Sequence, residues 1–177
     1  MLTIGETGAI GRNALAKEAG LGEGAIRTLI KWLKRDGLIT VKADGCLLTP
    51  KGKLAYNGIK DALPKKLELS NSSLTVGTSQ VAVLVRGKSD RVKSGIEQRD
   101  YAIRAGALGA TTYIFKNSKF RVPGSSADVE NDFPSDAWSR LRNGLQPREK
   151  DVVIVCGSGA RQTSHIGALS AALTVLK

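Results

Sequence analysis

Side chains that bind metals or activate nucleophiles are scarce in this chain: among 177 residues there is one histidine, His165, and there are two cysteines, Cys46 and Cys156. Transition-metal sites assembled from several His or Cys ligands are excluded by that count. The two cysteines are far apart and form no CxxC pair, so neither a disulfide framework nor a zinc ribbon is indicated, and a reducing cytoplasm fits. Catalytic context is missing too. Cys156 has no base beside it, and Ser158 stands in Cys156-Gly157-Ser158-Gly159 rather than in the G-x-S-x-G turn that exposes a nucleophile. No DxD and no close acidic pair on a strand end points to a carboxylate-only magnesium site. The chain is therefore expected to be no enzyme and to carry no metal or cofactor.

Long apolar runs are also missing. No basic leader followed by a greasy stretch opens the sequence, and Ile166 to Leu176 is too short and too rich in small residues to cross a bilayer, so a soluble protein with no membrane partner is expected. Acid is the third shortage. Against 27 Lys and Arg there are 16 Asp and Glu, a formal excess of 11 positive charges, which favours a polyanionic partner through long-range attraction. Nucleic acid is the first class to consider.

The first 66 residues read as a winged helix-turn-helix. Arg12 to Ala19 is helical in propensity and stops at Gly20. After the turn Gly20-Leu21-Gly22 a second helix starts near Glu23, with Ile26, Leu29, Ile30 and Leu33 at i, i+3, i+4, i+7 as its buried stripe. At 100° per residue the opposite face is Gly24, Thr28, Lys31 and Arg35, flanked by Arg27 and Lys34. Such a helix enters the major groove, where Arg reads guanine, Thr meets a thymine methyl or phosphate, and Lys holds the backbone; Gly24 lets the helix come close. Asp44-Gly45 between two apolar runs predicts a hairpin whose tip, near Lys42, serves as the wing. Thr49-Pro50 supplies an N-cap and an N1 proline for a further helix, with Lys51 in its first turn. Only ten residues precede Gly11, and Gly5, Thr7 and Gly8 are poor helix material, so the first helix of the core is expected to be missing or residual.

Residues 67–177 read as a separate α+β domain that dimerises or senses a ligand. Ser70 to Ser73 is a polar passage, and either Leu67 to Leu69 or Leu74 to Val76 adds a peripheral strand. A buried strand at Val81 to Val85, a helix at Gly95 to Ala105, strands at Thr111 to Phe115 and Lys119 to Val122, a helix from Ser135 to Gly144, a strand at Val152 to Val155 and a last helix from Arg161 to Leu176 give the order βαββαβα. That order predicts a ferredoxin-like split βαβ sheet with helices on one face. The final helix is apolar almost all round, which predicts burial in its own domain or in a homodimer.

One candidate ligand site falls between the last strand and the last helix. Gly157, Ser158 and Gly159 offer backbone N–H groups at a helix start, where a small anionic effector would sit with Arg161 as its clamp. Glu97 and Arg99, on a helix crowded with Asp100 and Arg104, are candidates for a polar pocket or a subunit contact, and Asp100 with Arg104 has the spacing of a surface ion pair. Two other readings compete with double-stranded DNA as the partner. One is RNA binding on the second domain's sheet, although Lys119-Phe120-Arg121-Val122 lacks the pattern of an RNA-recognition motif. The other is a protein-interaction module.

Several runs, LGEGAIRTL, VAVLVRGKSDRVKSGIEQRDYAIRAGALGATT, and DVVIVCGSG with GALSAALTVL, make the chain resemble archaeal winged helix-turn-helix proteins with a C-terminal domain of unknown function, the DUF4443 type. The likeness covers most of the chain, apart from an indistinct stretch at 125–134. It implies a transcriptional regulator and brings with it no known ligand or reaction.

Overall fold

The computed structural model describes residues 1–124 and 128–177. They divide into two compact units, Met1–Asp61 and Ala62–Lys177.

The first unit contains helices α1 (Leu2–Thr7), α2 (Arg12–Ala19) and α3 (Glu23–Arg35), the hairpin β1 (Ile39–Lys42) and β2 (Gly45–Leu48), and α4 (Pro50–Ala62). Gly20 ends α2 in the left-handed region, and the N–H of Leu21 returns to Ala16 O at 3.0 Å, closing the last turn. Strands β1 and β2 pair antiparallel from Ile39↔Leu48 to Lys42↔Gly45. Ile10 exchanges both backbone hydrogen bonds with Cys46, at 3.2 and 2.8 Å, and so adds a third, one-residue strand to the ribbon. Helices plus a small antiparallel ribbon in this order are the winged helix-turn-helix arrangement.

Of the two alternatives for the first helix, missing or residual, the first is corrected, since a six-residue α1 is present. Helix α1 is short but built into the core: Ile4 is buried with Ile10, Leu15, Ile26, Ile39 and Cys46. Gly5 is the reason the helix fits, since a Cβ there would lie 2.4 Å from ring carbons of Tyr56. The residue that lowers helix propensity is the one that seats the Tyr56 ring. The stripe on α3 is shallower than its periodicity suggests. Ile26 is buried and Ile30 and Leu33 are partly covered, but Leu29 is exposed, because this unit has a single small core cluster to offer.

The second unit is built on a five-stranded sheet ordered β3-β4-β7-β5-β6, with β3 at Lys65–Ser70, β4 at Ser79–Val85, β5 at Gly109–Lys116, β6 at Lys119–Arg121 and β7 at Val152–Ser158. Every neighbouring pair is antiparallel. Helix α5 (Ile96–Arg104) joins β4 to β5, α6 (Val129–Asp132) and α7 (Ala137–Leu145) join β6 to β7, and α8 (Arg161–Leu176) follows β7. Strands β4 and β5 point the same way with β7 between them. The strand directions are thus those of a split βαβ unit, compatible with the ferredoxin-like expectation, but the last strand rather than the hairpin strand fills the split.

Helices cover both faces of this sheet, not one. Ala82, Leu84, Tyr113, Phe115, Val153 and Val155 face Trp138, Leu141 and Leu145 of α7. Their neighbours Val81, Val83, Val85, Val152, Ile154 and Cys156 face Ala102 of α5 and Ala168, Ala171, Ala172 and Val175 of α8. The physical reason stands in the strands themselves: runs without polar alternation, such as Val81 to Val85, require apolar cover on two sides. The peripheral strand is β3, paired with β4 from Lys65↔Leu84 to Ser70↔Ser79. Of the indistinct stretch at 125–134, residues 125–127 lie outside the described residues, and α6 occupies Val129–Asp132.

Candidate nucleic-acid interface

Helix α3 begins after Gly22 with Glu23 in its first turn and ends with Lys34 and Arg35 in its last, so its charges complement the helix dipole at both ends. With Ile26 turned into the core, Gly24, Arg27, Thr28, Lys31, Lys34 and Arg35 are all exposed. Thr28 donates to Gly24 O at 3.1 Å, and Arg35 Nε donates to Asp36 Oδ1 at 2.9 Å. Arg27, Lys31 and Lys34 make no ion pair among the described residues. The space above Gly24 is open, with nothing within 4 Å of where a Cβ would stand. A cationic ridge whose Arg27, Lys31 and Lys34 meet no carboxylate among the described residues, on a helix whose backbone can be approached, is suited to a phosphate-lined groove.

The remaining basic residues of the first unit lie on other elements. Lys42 is exposed at the end of β1, beside the two-residue turn of the hairpin. Lys51, at the start of α4, donates to Asp36 O at 2.9 Å, which satisfies a carbonyl at the negative end of α3. Thr49 holds the same corner: its hydroxyl donates to Gly37 O at 2.6 Å and accepts the N–H of Gly52 at 3.0 Å. These hydrogen bonds tie together the corner between α3, the ribbon and α4. Trp32, half exposed on the flank of α3, was not singled out by the charge pattern.

In the second unit the glycine-rich turn is occupied by the protein. Gly157 and Ser158 belong to β7 itself, Gly157 pairing with Gln80 on one side and Gly109 on the other. A Cβ on Gly157 would lie 1.8 Å from Val76 O, so the glycine admits the 75–77 segment across the strand. The Ser158 hydroxyl accepts the N–H of Ala160 at 3.1 Å and contacts Ser164 Oγ at 2.8 Å. Gly159 is exposed. Arg161 donates two hydrogen bonds, at 2.8 and 2.5 Å, to Glu68 of β3, and His165 Nε2 lies 3.0 Å from the same carboxylate. Hydrogen bonding from Arg161 first and His165 second holds the Glu68 carboxyl below its ordinary value. Burial pushes the Cys156 thiol up to about 11, which makes it a poor nucleophile.

Glu97 and Arg99 are exposed on α5, and Arg99 bonds Asp100 Oδ1 through Nε and Nη2 at 3.2 and 3.0 Å. The expected pair of Asp100 with Arg104 is not formed; the Arg104 guanidinium lies over the Tyr101 ring instead, 5.4 Å from its centre. Among the described residues no helix is long and apolar enough to cross a membrane.

Comparison with known proteins adds to this geometry. Residues 1–63 match the family described as the CggR N-terminal DNA binding domain. A solved hypothetical protein from Pyrococcus horikoshii OT3 is similar at a TM-score of 0.69 and 24% identity, over 94% of this chain and 84% of that one, a likeness that speaks to the fold. No curated protein matches. Residues 76–175 match the domain of unknown function DUF4443, the larger part of the chain, and by that match the chain belongs to the DUF4443 family.

Proposed function

We propose that this protein is a cytoplasmic transcriptional regulator that binds double-stranded DNA in a sequence-specific way, without enzymatic activity. In this reading α3 lies in the major groove, with Arg27, Thr28 and Lys31 reaching bases across a backbone brought close at Gly24. Arg35, Lys42 and Lys51 hold phosphates; the Lys51 ammonium has donors to spare beyond the one given to Asp36 O. Residues 67–177 dimerise the chain, setting the spacing of two recognition helices, and sense a small anionic ligand. The observation that carries the reading is the exposed ridge of α3, whose Arg27, Lys31 and Lys34 meet no carboxylate among the described residues, and the match of residues 1–63 to a DNA binding domain family supports it.

RNA binding on the second unit's sheet is disfavoured, because a base-stacking platform needs a bare sheet face and both faces here are packed under helices. The test is fluorescence-anisotropy titration of the full chain against random duplex DNA, single-stranded DNA and single-stranded RNA at two salt concentrations. Duplex preference that weakens steeply with salt is expected. Preference for single-stranded RNA, or no binding to any of the three, overturns the reading; in the second case a protein partner becomes the leading alternative.

A further inference from the structure

In the second unit a cavity of about 530 Å³ opens between the 73–76 segment, α5, the start of β5 and α6. That volume lies within the range of small-molecule sites, about 300 to 1,000 Å³. Its deep wall is buried and apolar: Leu74, Val129 and Trp138. Tyr113 belongs to this wall, but its hydroxyl is already spent, donating to Leu74 O at 2.7 Å. Val76, Leu108 and Phe133 line the cavity while exposed to solvent at 56%, 63% and 64%, so large apolar side chains stand uncovered at its mouth. A void of this size with apolar walls and an apolar rim is costly to leave against water, and an apolar body of matching volume would relieve that cost.

Among the described residues Arg99 is the one charged residue on the lining. Asp100 engages only its Nε and Nη2 edge, which fixes the plane of the guanidinium and leaves Nη1 without a partner among the described residues. Ser73, Thr75 and Thr111 line the cavity as well, the Thr111 side chain being hydrogen-bonded to Tyr113. One guanidinium edge, with the hydroxyls of Ser73 and Thr75 on the same lining, matches a single carboxylate; a doubly charged phosphate would meet one cation among the described residues and keep an unbalanced charge. Taking the roughly 30 Å³ that a water molecule occupies in the liquid as a yardstick, the cavity holds on the order of 15 non-hydrogen atoms.

We infer that this cavity binds an amphipathic monocarboxylate, its aliphatic or aromatic body on Leu74, Val129 and Trp138 and its carboxylate on Arg99. The site deepens the ligand-sensing part of the proposed function, and only its purpose as an effector site rests on that reading; its occupancy is measured without DNA. It also gives Arg99 a place in a cavity that the turn at Gly157 to Arg161 does not line.

The test uses the full chain carrying Trp32→Phe, which leaves Trp138 as the sole indole. Decanoate and the neutral decanol are titrated while Trp138 emission is followed. A saturable change with decanoate is expected. Arg99→Gln should weaken decanoate about tenfold while leaving decanol within about twofold, since only the charged contact is removed. Leu108→Glu, on the exposed rim, should weaken decanoate by a similar factor without altering the thermal melt. No saturable change in Trp138 emission overturns the inference, as does an equal loss of both ligands in Arg99→Gln or indifference of decanoate to Leu108→Glu. Saturable binding with duplex affinity unchanged upholds the site and overturns its part in regulation.

Discussion

The two units carry positive charge in opposite ways. Residues 1–61 hold ten Lys and Arg against six Asp and Glu, and residues 62–177 hold seventeen against ten, so the larger excess lies in the second unit. There, five of the seventeen are ion-paired among the described residues, Arg86 to buried Asp151, Arg99 to Asp100, Arg142 to Glu130, Arg161 to Glu68 and Lys119 to Asp128, and these five come from five different segments rather than one helix face. In the first unit the α3 ridge is left open, and the one ion pair among the described residues, Arg35 with Asp36, sits at the helix end. Net charge thus does not locate a polyanion site; uncompensated charge on one rigid face does. The cores differ in the same sense. One cluster of six buried residues supports the first unit, and two clusters flank the sheet of the second, so the first unit spends fewer of its helix faces on itself.

The largest effects belong to the thick core. Leu141, fully buried against the sheet, should cost about 2 to 5 kcal/mol when changed to Ala, read as a shift of the urea midpoint, with duplex affinity of the folded protein unaltered. Gly157→Ala is expected to cost about 1 to 3 kcal/mol or more, because Val76 O stands where the Cβ would go. If either change alters site preference on DNA, the division of labour between the units is wrong. Next in size, Arg27→Ala should change base preference by about 1 to 3 kcal/mol in a binding-site selection if it reads guanine, without moving the urea midpoint. Lys31→Ala should weaken duplex binding and reduce the slope of log affinity on log salt by about 0.9 if it holds one phosphate. Unchanged binding in both would remove α3 from the interface.

A second glycine sharpens the contrast. Gly24→Ala meets nothing within 4 Å and should stabilise α3 by up to about 1 kcal/mol, the difference in helix propensity. Weaker duplex binding alongside a higher melting temperature would place the helix backbone against the DNA. Improved or equal binding would argue that the helix stands off from the groove at that point.

Periodic features of the fold were legible in the residues, and contacts between distant residues were not. The α3 ridge follows from 3.6-residue spacing, the wing from Asp44-Gly45 between apolar runs, and the buried strands from runs such as Val81 to Val85. Helix α1 was hidden because its glycine is explained by Tyr56, some fifty residues further on. The order β4-β7-β5 and the second helical layer were hidden because strand neighbours are chosen by packing, not by local pattern. Among the candidate site residues, Arg99 could be noticed on its helix, but the cavity beside it could not: Leu74, Leu108, Phe133 and Trp138 come from separate segments that share no spacing.

The smallest expected effect tests whether Arg161 serves the fold or a ligand. Arg161 and His165 of α8 both meet Glu68 of β3, and hydrogen bonds from the two hold its carboxyl below the ordinary value of 4.5. A depressed folded-state value means that the stabilisation is present above the unfolded value and is lost as pH falls through the folded one. Glu68→Gln should therefore lower the melting temperature slightly near pH 7, by about two degrees or less as befits an exposed pair, and the gap to the parent should close as pH falls below about 4.5. Salt should shrink the gap at pH 7 in the same way. If the melting temperature does not respond and a soluble monocarboxylate instead binds more tightly to Glu68→Gln, then Glu68 is a stand-in anion masking Arg161, and the second unit holds its ligand at the end of β7 rather than beside Trp138.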